Sequence, residues 1–185
     1  MLDLFTYTGG YALAAARGGA AEAVGVDSSG LAVDTAADNA RANGLEGVAS
    51  FVKSDVLDYV RGLQEAGADG GWGPIPEEKL FDIVVADPPK LAPSRKDLPR
   101  ALRKYAQINR AAMLALRPGG LLLTHTCSAA MTQAPHEFRD MVRRSANDLG
   151  RSLTVLRVSH AASCHVMNPS YPESEYLTSM LCRVG

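Results

Sequence analysis

The stretch that decides the fold is Leu2–Gly10, LDLFTYTGG, which runs directly into the alanine-rich segment Tyr11–Arg17, YALAAAR. The apolar residues at its start predict a strand over Leu2–Phe5, and the alanine-rich segment predicts a helix. The two glycines between them, Gly9 and Gly10, allow a tight turn and a close approach of a ligand to the start of the helix. This order of elements predicts the first unit of an α/β sheet.

The same alternation of apolar and helical segments continues along the chain. Further strands are predicted at Ala23–Val26, Val48–Val52, Phe81–Ala86 and Gly120–Thr126, with a closing pair at Leu153–Val158 and Tyr176–Arg183. Helices are predicted at Ser29–Asn43, Val56–Glu65, Leu98–Leu116 and His136–Leu149. Repeated strand–helix units predict a doubly wound, Rossmann-like α/β fold, in which a parallel sheet carries helices on both faces.

The length of 185 residues predicts one domain, residues 1–185. The stretch 67–79 is rich in glycine and proline, and we interpret it as a loop because the strand after it belongs to the same sheet. The first predicted strand follows Met1 directly. We therefore expect the chain to be N-terminally truncated, with further residues and a substrate-binding domain ahead of this strand in the complete protein.

Membrane and metal partners are not expected. No stretch approaches the roughly 18 consecutive apolar residues of a membrane span, and no signal peptide follows Met1. The three cysteines, Cys127, Cys164 and Cys182, are too few for a disulfide scaffold, and their spacing fits no zinc site. We expect a reducing compartment, the cytoplasm or the stroma or matrix of an organelle.

The net charge of −1 hides an asymmetry between the two halves of the chain. Residues 1–89 hold 14 acidic and 5 basic side chains, whereas residues 90–185 hold 6 acidic and 14 basic ones. The second half is therefore the half expected to face a polyanion.

Acidic residues stand at or near the ends of the first three predicted strands, at Asp3, Asp27 and Asp55. The carboxyl ends of parallel strands meet at one edge, so these side chains are expected to face one crevice. Asp27 lies 17 residues beyond Gly10, where a carboxylate can bind a ribose diol, and Asp55 can accept a hydrogen bond from an adenine amine.

The glycine run is not the G-x-G-x-x-G fingerprint, which weakens the alternative of a dinucleotide and a nicotinamide oxidoreductase. The acid at Asp3 disfavours a pyrophosphate and favours a cationic ligand, and S-adenosylmethionine carries an ammonium and a sulfonium group. The residues predicted to surround this cofactor are Asp3, Phe5, Tyr7, Thr8, Gly9, Gly10, Asp27, Ser28, Asp55 and Asp87.

Asp87 and Cys127 follow the fourth and fifth strands, which are neighbours in the usual order of this fold. A thiolate can add to carbon 6 of a pyrimidine and make carbon 5 nucleophilic toward a methyl sulfonium. Asp87 would polarise the base at N3, while the group that removes the C5 proton stays unassigned. The base must be unstacked to reach such a pocket. Methylation of guanine needs no thiol, and would leave Cys127 structural.

Five runs carry a resemblance that covers nearly the whole chain: LDLFTYTGGYALAAARGGA (2–20), VDSSGLAVDTAADNARANG (26–44), FDIVVADPPKLAPSRK (81–96), RPGGLLLTHTCS (117–128) and NPSYPESEYL (168–177). With them the chain resembles the ribosomal large-subunit cytosine-5 methyltransferase family, class I S-adenosylmethionine-dependent enzymes that act on 23S rRNA. The resemblance implies Asp87 and Cys127 as catalytic residues, and Asp3, Tyr7, Asp27 and Asp55 around the cofactor. Its DPPKLAPSR run is more similar to plant and algal members, which favours an organelle such as the plastid.

This chain departs in three ways from the family that it resembles, and each departure bears on which family properties can be assigned to it. The family usually has an N-terminal PUA-type RNA-binding domain, which these residues do not include. Related RNA cytosine methyltransferases have a second cysteine where this chain has Lys90, and the family tends to have Asp-His-Pro where this chain has Cys164, His165 and Val166. The open alternatives are another RNA base, uracil C5 or guanine, and an inactive cofactor-binding fragment.

A basic stretch follows the predicted catalytic loop directly. It is placed to hold phosphates beside a flipped base, and its members are Lys90, Arg95, Lys96, Arg100, Arg103 and Lys104. His125 is expected to pack rather than to act in catalysis, since the period of two directs it away from the neighbours of Cys127.

Overall fold

The computed structural model describes residues 1–64 and 74–185. The strands are β1 (Leu2–Leu4), β2 (Ala23–Asp27), β3 (Ala49–Lys53), β4 (Phe81–Ala86), β5 (Leu116–Thr126), β6 (Leu153–His160) and β7 (Thr178–Val184). The α-helices are α1 (Gly10–Arg17), α2 (Gly30–Ala42), α3 (Val56–Leu63), α4 (Leu98–Leu114), α5 (Ala129–Thr132) and α6 (Pro135–Asn147). The predicted helix end at Glu65 and residues 67–73 of the glycine-rich stretch lie outside the described residues.

The seven strands form one sheet in the order β3-β2-β1-β4-β5-β7-β6. Strands β1 to β5 are parallel, and β7 lies antiparallel between β5 and β6. The chain builds outward from β1 to β3 and then returns to the other side of β1 with β4. The doubly wound fold is thus confirmed, and its switch point, where ligands bind in such sheets, lies between β1 and β4.

Apolar side chains cover the two faces of the sheet unequally. The larger cluster joins β-strand residues such as Leu2, Leu4 and Val26 to α3, α4 and α6. The smaller cluster, between the other face and helices α1 and α2, is built from alanines, Ala12, Ala16, Ala23, Ala40 and Ala49. Small side chains let α1 and α2 approach the sheet closely, which brings the start of α1 next to the strand ends.

One strand begins several residues earlier in the structure than the sequence predicted. Strand β5 begins at Leu116 rather than at Gly120, because Leu116 pairs with Phe81 of β4 ahead of an irregularity in the register. Helix α4 accordingly ends at Leu114. The guanidinium of Arg151 donates to the carbonyl oxygens of Leu116 at 2.9 Å and Val184 at 3.3 Å. This single side chain therefore holds the starts of β5 and β6 and the end of β7 together.

Within residues 1–64 and 74–185, no helix combines the length and the apolar character needed to cross a bilayer. Over the same residues, no group of three histidine, cysteine or acidic side chains is arranged to hold a metal ion.

Candidate functional site

Asp3 of β1 is the buried centre of the acidic crevice. Its side chain is 0% exposed, and its Oδ2 accepts hydrogen bonds from the Thr6 hydroxyl at 2.6 Å and the Ala12 amide at 3.1 Å. Its Oδ1 is buried with no hydrogen-bond partner in the described part of the chain. Burial raises the pKa of Asp3 to about 6; the two hydrogen bonds oppose that shift, and the charges of Asp87 and Asp27 add to it. Asp87 and Asp27 therefore both interact with Asp3 at this crevice.

The segment between β1 and α1 is a strained turn. Phe5 and Tyr7 adopt positive φ angles of 67° and 50°, which side chains other than glycine rarely do. Such a conformation persists only where the surroundings hold it. The Tyr7 amide donates to Asp27 Oδ2 at 2.9 Å, and Asn39 Nδ2 donates to the carbonyl oxygen of Thr8 at 3.0 Å. Asn39 of α2, which the sequence did not single out, thus supports the predicted cofactor loop.

Gly9 and Gly10 have different structural reasons to be glycine. Gly9 has a φ of +90°, and a Cβ atom there would lie 2.9 Å from the ring of Phe51. A Cβ atom on Gly10 would meet nothing within 4 Å. Gly9 therefore makes the turn, whereas Gly10 leaves open space at the start of α1, where the helix presents its first amides.

Asp27, Ser28 and Asp55 lie where the sequence predicted them, at strand ends. Asp27 is half-buried, and its Oδ1 accepts from the Ser29 amide at 2.9 Å, beside the exposed Ser28. Asp55 is exposed and caps α3, with its Oδ1 accepting from the Leu57 amide at 2.8 Å. Both carboxylates therefore shape the backbone, and a carboxylate has further lone pairs for a ligand.

Asp87 and Cys127 follow the adjacent strands β4 and β5, as the sequence predicted. Both are half-buried, and the Cys127 thiol donates to the carbonyl oxygen of Pro88, with 3.8 Å between Sγ and that oxygen. Burial raises the pKa of the Cys127 thiol; the charge of Asp87 adds to the shift and Lys90 opposes it. Burial raises the pKa of Asp87, and His125 opposes that shift. The loop carbonyl, the acid and the thiol thus form one interacting group.

The Cys127 cavity has a volume of about 480 Å³ and an opening toward solvent. It is lined by Lys90, Pro93, Cys127, Ala129, Tyr171, Glu173 and Tyr176. The two tyrosines come from the segment between β6 and β7, and Gln133 Nε2 ties this segment to the body by donating to the carbonyl oxygen of Pro172 at 3.2 Å. The sequence did not single out either tyrosine as a site residue. The sequence pointed to them only through the segment NPSYPESEYL (168–177), which contains both tyrosines and contributes to the family resemblance.

His125 is 8% exposed and uses both ring nitrogens. Nε2 lies 3.2 Å from the Tyr11 hydroxyl, and Nδ1 lies 2.7 Å from the Ser179 hydroxyl. His125 also interacts electrostatically with Asp87. The prediction that His125 packs is correct in that it is buried, but it missed the polar chain beside Asp87. No sequence signal pairs His125 with Ser179, because that contact depends on β7 lying next to β5.

The six basic residues after Asp87 are all exposed, and none of them forms an ion pair within the described residues. They do not form one compact patch. Lys90 lines the Cys127 cavity, whereas Arg103 lies on a groove between α4 and α6 with Arg110 and Arg144. Arg100, Arg103 and Lys104 share one helical face, so the charges extend from the cavity along α4.

Comparison with known proteins gives one family and a group of relatives. Residues 1–181 match the family described as methyltransferase domain. The protein named ribosomal RNA large subunit methyltransferase I from Aeromonas salmonicida is 40% identical over 99% of this chain and 43% of its own length. The protein of the same name from Pseudoalteromonas translucida is 39% identical over the whole chain and 43% of its length. The chain thus spans less than half the length of these curated relatives.

Solved structures share the fold at lower identity. SMU.776, solved in complex with SAH, has a TM-score of 0.78 at 24% identity, over 98% of this chain and 44% of its own. TrmN from Thermus thermophilus has a TM-score of 0.64 at 19% identity, over 98% and 42% of the two chains.

Proposed function

The chain belongs to the methyltransferase domain family, and we propose that it transfers a methyl group from S-adenosylmethionine to carbon 5 of a cytosine in large-subunit ribosomal RNA. One observation carries the choice of chemistry. A thiol, Cys127, and a carboxyl group, Asp87, interact at the ends of adjacent strands, and the thiol lines an open cavity. This is the pair that attack on carbon 6 of a pyrimidine requires.

The acidic crevice fits the cofactor. Asp3 holds a buried oxygen without a partner in the described residues, and a cationic amine is the group that would satisfy it. Asp27, half-buried at the end of β2, has lone pairs left for a ribose diol. Open space at Gly10 leaves room for the ligand beside the first turn of α1. When bound, S-adenosylmethionine supplies an electrophilic methyl group on a sulfonium.

The Cys127 cavity would hold the target base. Tyr171, 59% exposed, and Tyr176 offer aromatic faces on which a splayed base can stack. Cys127 would form a bond to carbon 6, and Asp87, whose pKa is raised by burial, would share a proton with N3. After methyl transfer, a general base would take the C5 proton, and this would re-form the double bond between carbons 5 and 6 and expel the Cys127 thiolate. Lys90, which opposes the rise in the pKa of Cys127, would favour that thiolate.

RNA is the proposed partner on two grounds. The relatives at 39–40% identity are named as ribosomal RNA methyltransferases, although the chain spans only 43% of their length. Exposed basic side chains extend from the cavity along α4, where they would neutralise phosphates beside an unstacked base. Lys90 lies closest to the chemistry, because it lines the same cavity as Cys127.

The decisive test uses the complete protein and a large-subunit rRNA transcript containing 5-fluorocytidine. Fluorine replaces the proton that must leave, so the enzyme should remain covalently attached to RNA after methyl transfer. We expect an adduct that resists denaturing electrophoresis, that Cys127→Ala abolishes and that Cys164→Ser retains. Nucleoside mass spectrometry on unmodified RNA should find 5-methylcytidine. An active Cys127→Ala enzyme that methylates guanine would refute the cytosine proposal. Cofactor binding without any methylated nucleoside would indicate a protein that binds the cofactor but does not methylate this RNA.

A further inference from the structure

A chain of three polar side chains crosses the site beside Asp87. The Tyr11 hydroxyl of α1 lies 3.2 Å from His125 Nε2 of β5, and the Ser179 hydroxyl of β7 lies 2.7 Å from His125 Nδ1. His125 and Ser179 are directly paired in the sheet. The hydrogen-bonded chain therefore ties helix α1 to the paired strands β5 and β7 at this edge of the sheet.

Simple packing does not account for a histidine at this position. His125 is 8% exposed, and a buried imidazole is costly unless both nitrogens find partners. A phenylalanine would fill similar space without that requirement. The two hydroxyl groups can each donate or accept, so they satisfy either neutral tautomer of the ring. Ser179 thus fixes the ring of His125, and His125 fixes the hydroxyl of Tyr11.

Tyr11 is held at a particular place in the crevice. It follows Gly10 at the start of α1, and the next amide, that of Ala12, donates to Asp3. Its side chain is 38% exposed and interacts electrostatically with both Asp87 and Asp3. Burial raises the pKa of Tyr11 to about 12, and the charges of Asp87 and Asp3 add to the shift, so the phenol stays neutral. Tyr11 therefore interacts with both the acid proposed for the cofactor, Asp3, and the acid proposed for the base, Asp87.

We propose that the Tyr11 ring lines the cofactor site and that His125, hydrogen-bonded to Ser179, is the positioning residue that holds this ring in its orientation. The inference rests on the proposed cofactor. An aromatic face beside a cationic ligand group is attractive, and a ring fixed in advance loses less freedom when the ligand binds. The Tyr11 ring lies with its centroid 5.5 Å from that of His125, tilted by 34°, so the hydrogen bond and the ring contact act together.

The test measures by calorimetry how tightly the protein binds S-adenosylhomocysteine (SAH), the cofactor without its methyl group. Thermal unfolding is recorded for each variant. Tyr11→Phe and His125→Phe should each weaken SAH binding by about three- to tenfold, the range of one lost hydrogen bond. The double variant should bind no more weakly than the weaker single variant, because both changes remove the same contact. His125→Gln, which keeps a hydrogen-bonding group, should recover part of the loss. Tyr59→Phe on α3 is the matched control and should bind like the unmodified chain.

The outcomes separate the inference from the function on which it rests. No binding of SAH by the unmodified protein would overturn the proposed cofactor, and this inference with it. Binding by the unmodified protein that Tyr11→Phe leaves unchanged would overturn the inference alone. Additive losses in the double variant would show that His125 does not act through Tyr11. Tyr11→Phe keeps the test decisive if His125→Phe fails to fold, because it removes only a partly exposed hydroxyl.

Discussion

The Cys127 thiol donates a hydrogen bond to the backbone carbonyl oxygen of Pro88, with 3.8 Å between Sγ and that oxygen, so the loop after Asp87 contacts the proposed nucleophile directly. The two prolines of that loop, Pro88 and Pro89, restrict its backbone and remove two amide donors. An amide donor near sulfur would stabilise the thiolate, whereas a carbonyl oxygen stabilises the thiol. Burial and the charge of Asp87 raise the pKa of the Cys127 thiol, whereas a backbone hydrogen bond and Lys90 oppose that rise.

The reactivity of Cys127 should reveal those groups. Iodoacetamide labels thiolates, so the pH midpoint of labelling reports the pKa of the thiol. We expect a midpoint above the ordinary range for Cys127, because burial and Asp87 raise its pKa. Asp87→Asn should lower the midpoint, and Lys90→Met should raise it, measured by mass spectrometry in a Cys164→Ser background. Equal midpoints in all three proteins would show that neither charge acts on the thiol.

Asp3→Asn should stabilise the fold while weakening ligand binding. The pKa of Asp3 is about 6 in the folded chain against an ordinary 3.8, so the ionised form destabilises the folded state above pH 6. That cost declines as the pH falls through 6 and is gone near 4, and at pH 8 it is about 1–3 kcal/mol. Asparagine keeps an oxygen for Thr6 and Ala12. Chemical denaturation at pH 8 and pH 4.5 should therefore show a gain only at the higher pH.

The control for this stability measurement is Asp34→Asn, at an exposed position on α2. It should leave the free energy of unfolding unchanged at both pH 8 and pH 4.5. SAH binding gives the matching functional result. Its amine favours the ionised form of Asp3, so affinity should rise between pH 5 and pH 7 in the unmodified chain. Asp3→Asn should flatten that rise. If Asp3→Asn instead lost stability at pH 8, the ionised form of Asp3 would not be destabilising the folded state.

Asp27→Ala should weaken S-adenosylmethionine binding by roughly 1–3 kcal/mol, measured by calorimetry. Two effects contribute, since Asp27 also accepts from the amides of Tyr7 and Ser29. Asp27→Asn should lose less affinity than Asp27→Ala, because its remaining oxygen can keep one of those bonds. Unchanged affinity in a folded Asp27→Ala protein would remove Asp27 from the ribose role.

RNA binding should weaken steeply with salt, because phosphate contacts release counterions. Neutralising Arg95, Lys96, Arg100 and Lys104 together should flatten the plot of log affinity against log salt, with a slope smaller by about one for each lost contact. Filter binding from 50 to 300 mM salt measures it. The matched control neutralises Arg139, Arg143 and Arg144 on α6. A change of slope in the control alone would move the RNA surface to that helix.

The sequence predicted the sheet well because its strands are short apolar runs that alternate with helices. It also predicted that Asp3, Asp27 and Asp55 face one crevice, and that Asp87 and Cys127 lie close together, since parallel strands end at the same edge. It could not predict the contact between His125 and Ser179. That contact depends on which strand pairs with β5, and hydrophobic periodicity does not report strand order.

The strained turn at Phe5 and Tyr7 was invisible for a different reason. Phenylalanine and tyrosine carry no sequence signal for a positive φ, and the turn is held by Asp27 and Asn39, which are distant in sequence. The longer β5 was missed because Pro118, Gly119 and Gly120 have the composition of a turn. Leu116 pairs with Phe81 ahead of these three residues, which lie in the register irregularity before Leu121 pairs with Ile83.

The insertion of β7 between β5 and β6 sets the order in which the site is completed during synthesis. The strand that leads to Cys127 leaves the ribosome about 50 residues before its partner β7 does, and parallel pairing with β4 covers only one of its edges. Until residue 184 is made, the other edge of β5 is unpaired, and His125 has no Ser179 to hold it. A nascent chain can therefore assemble the acidic crevice first, while the cysteine side of the site is completed only when β7 pairs with β5.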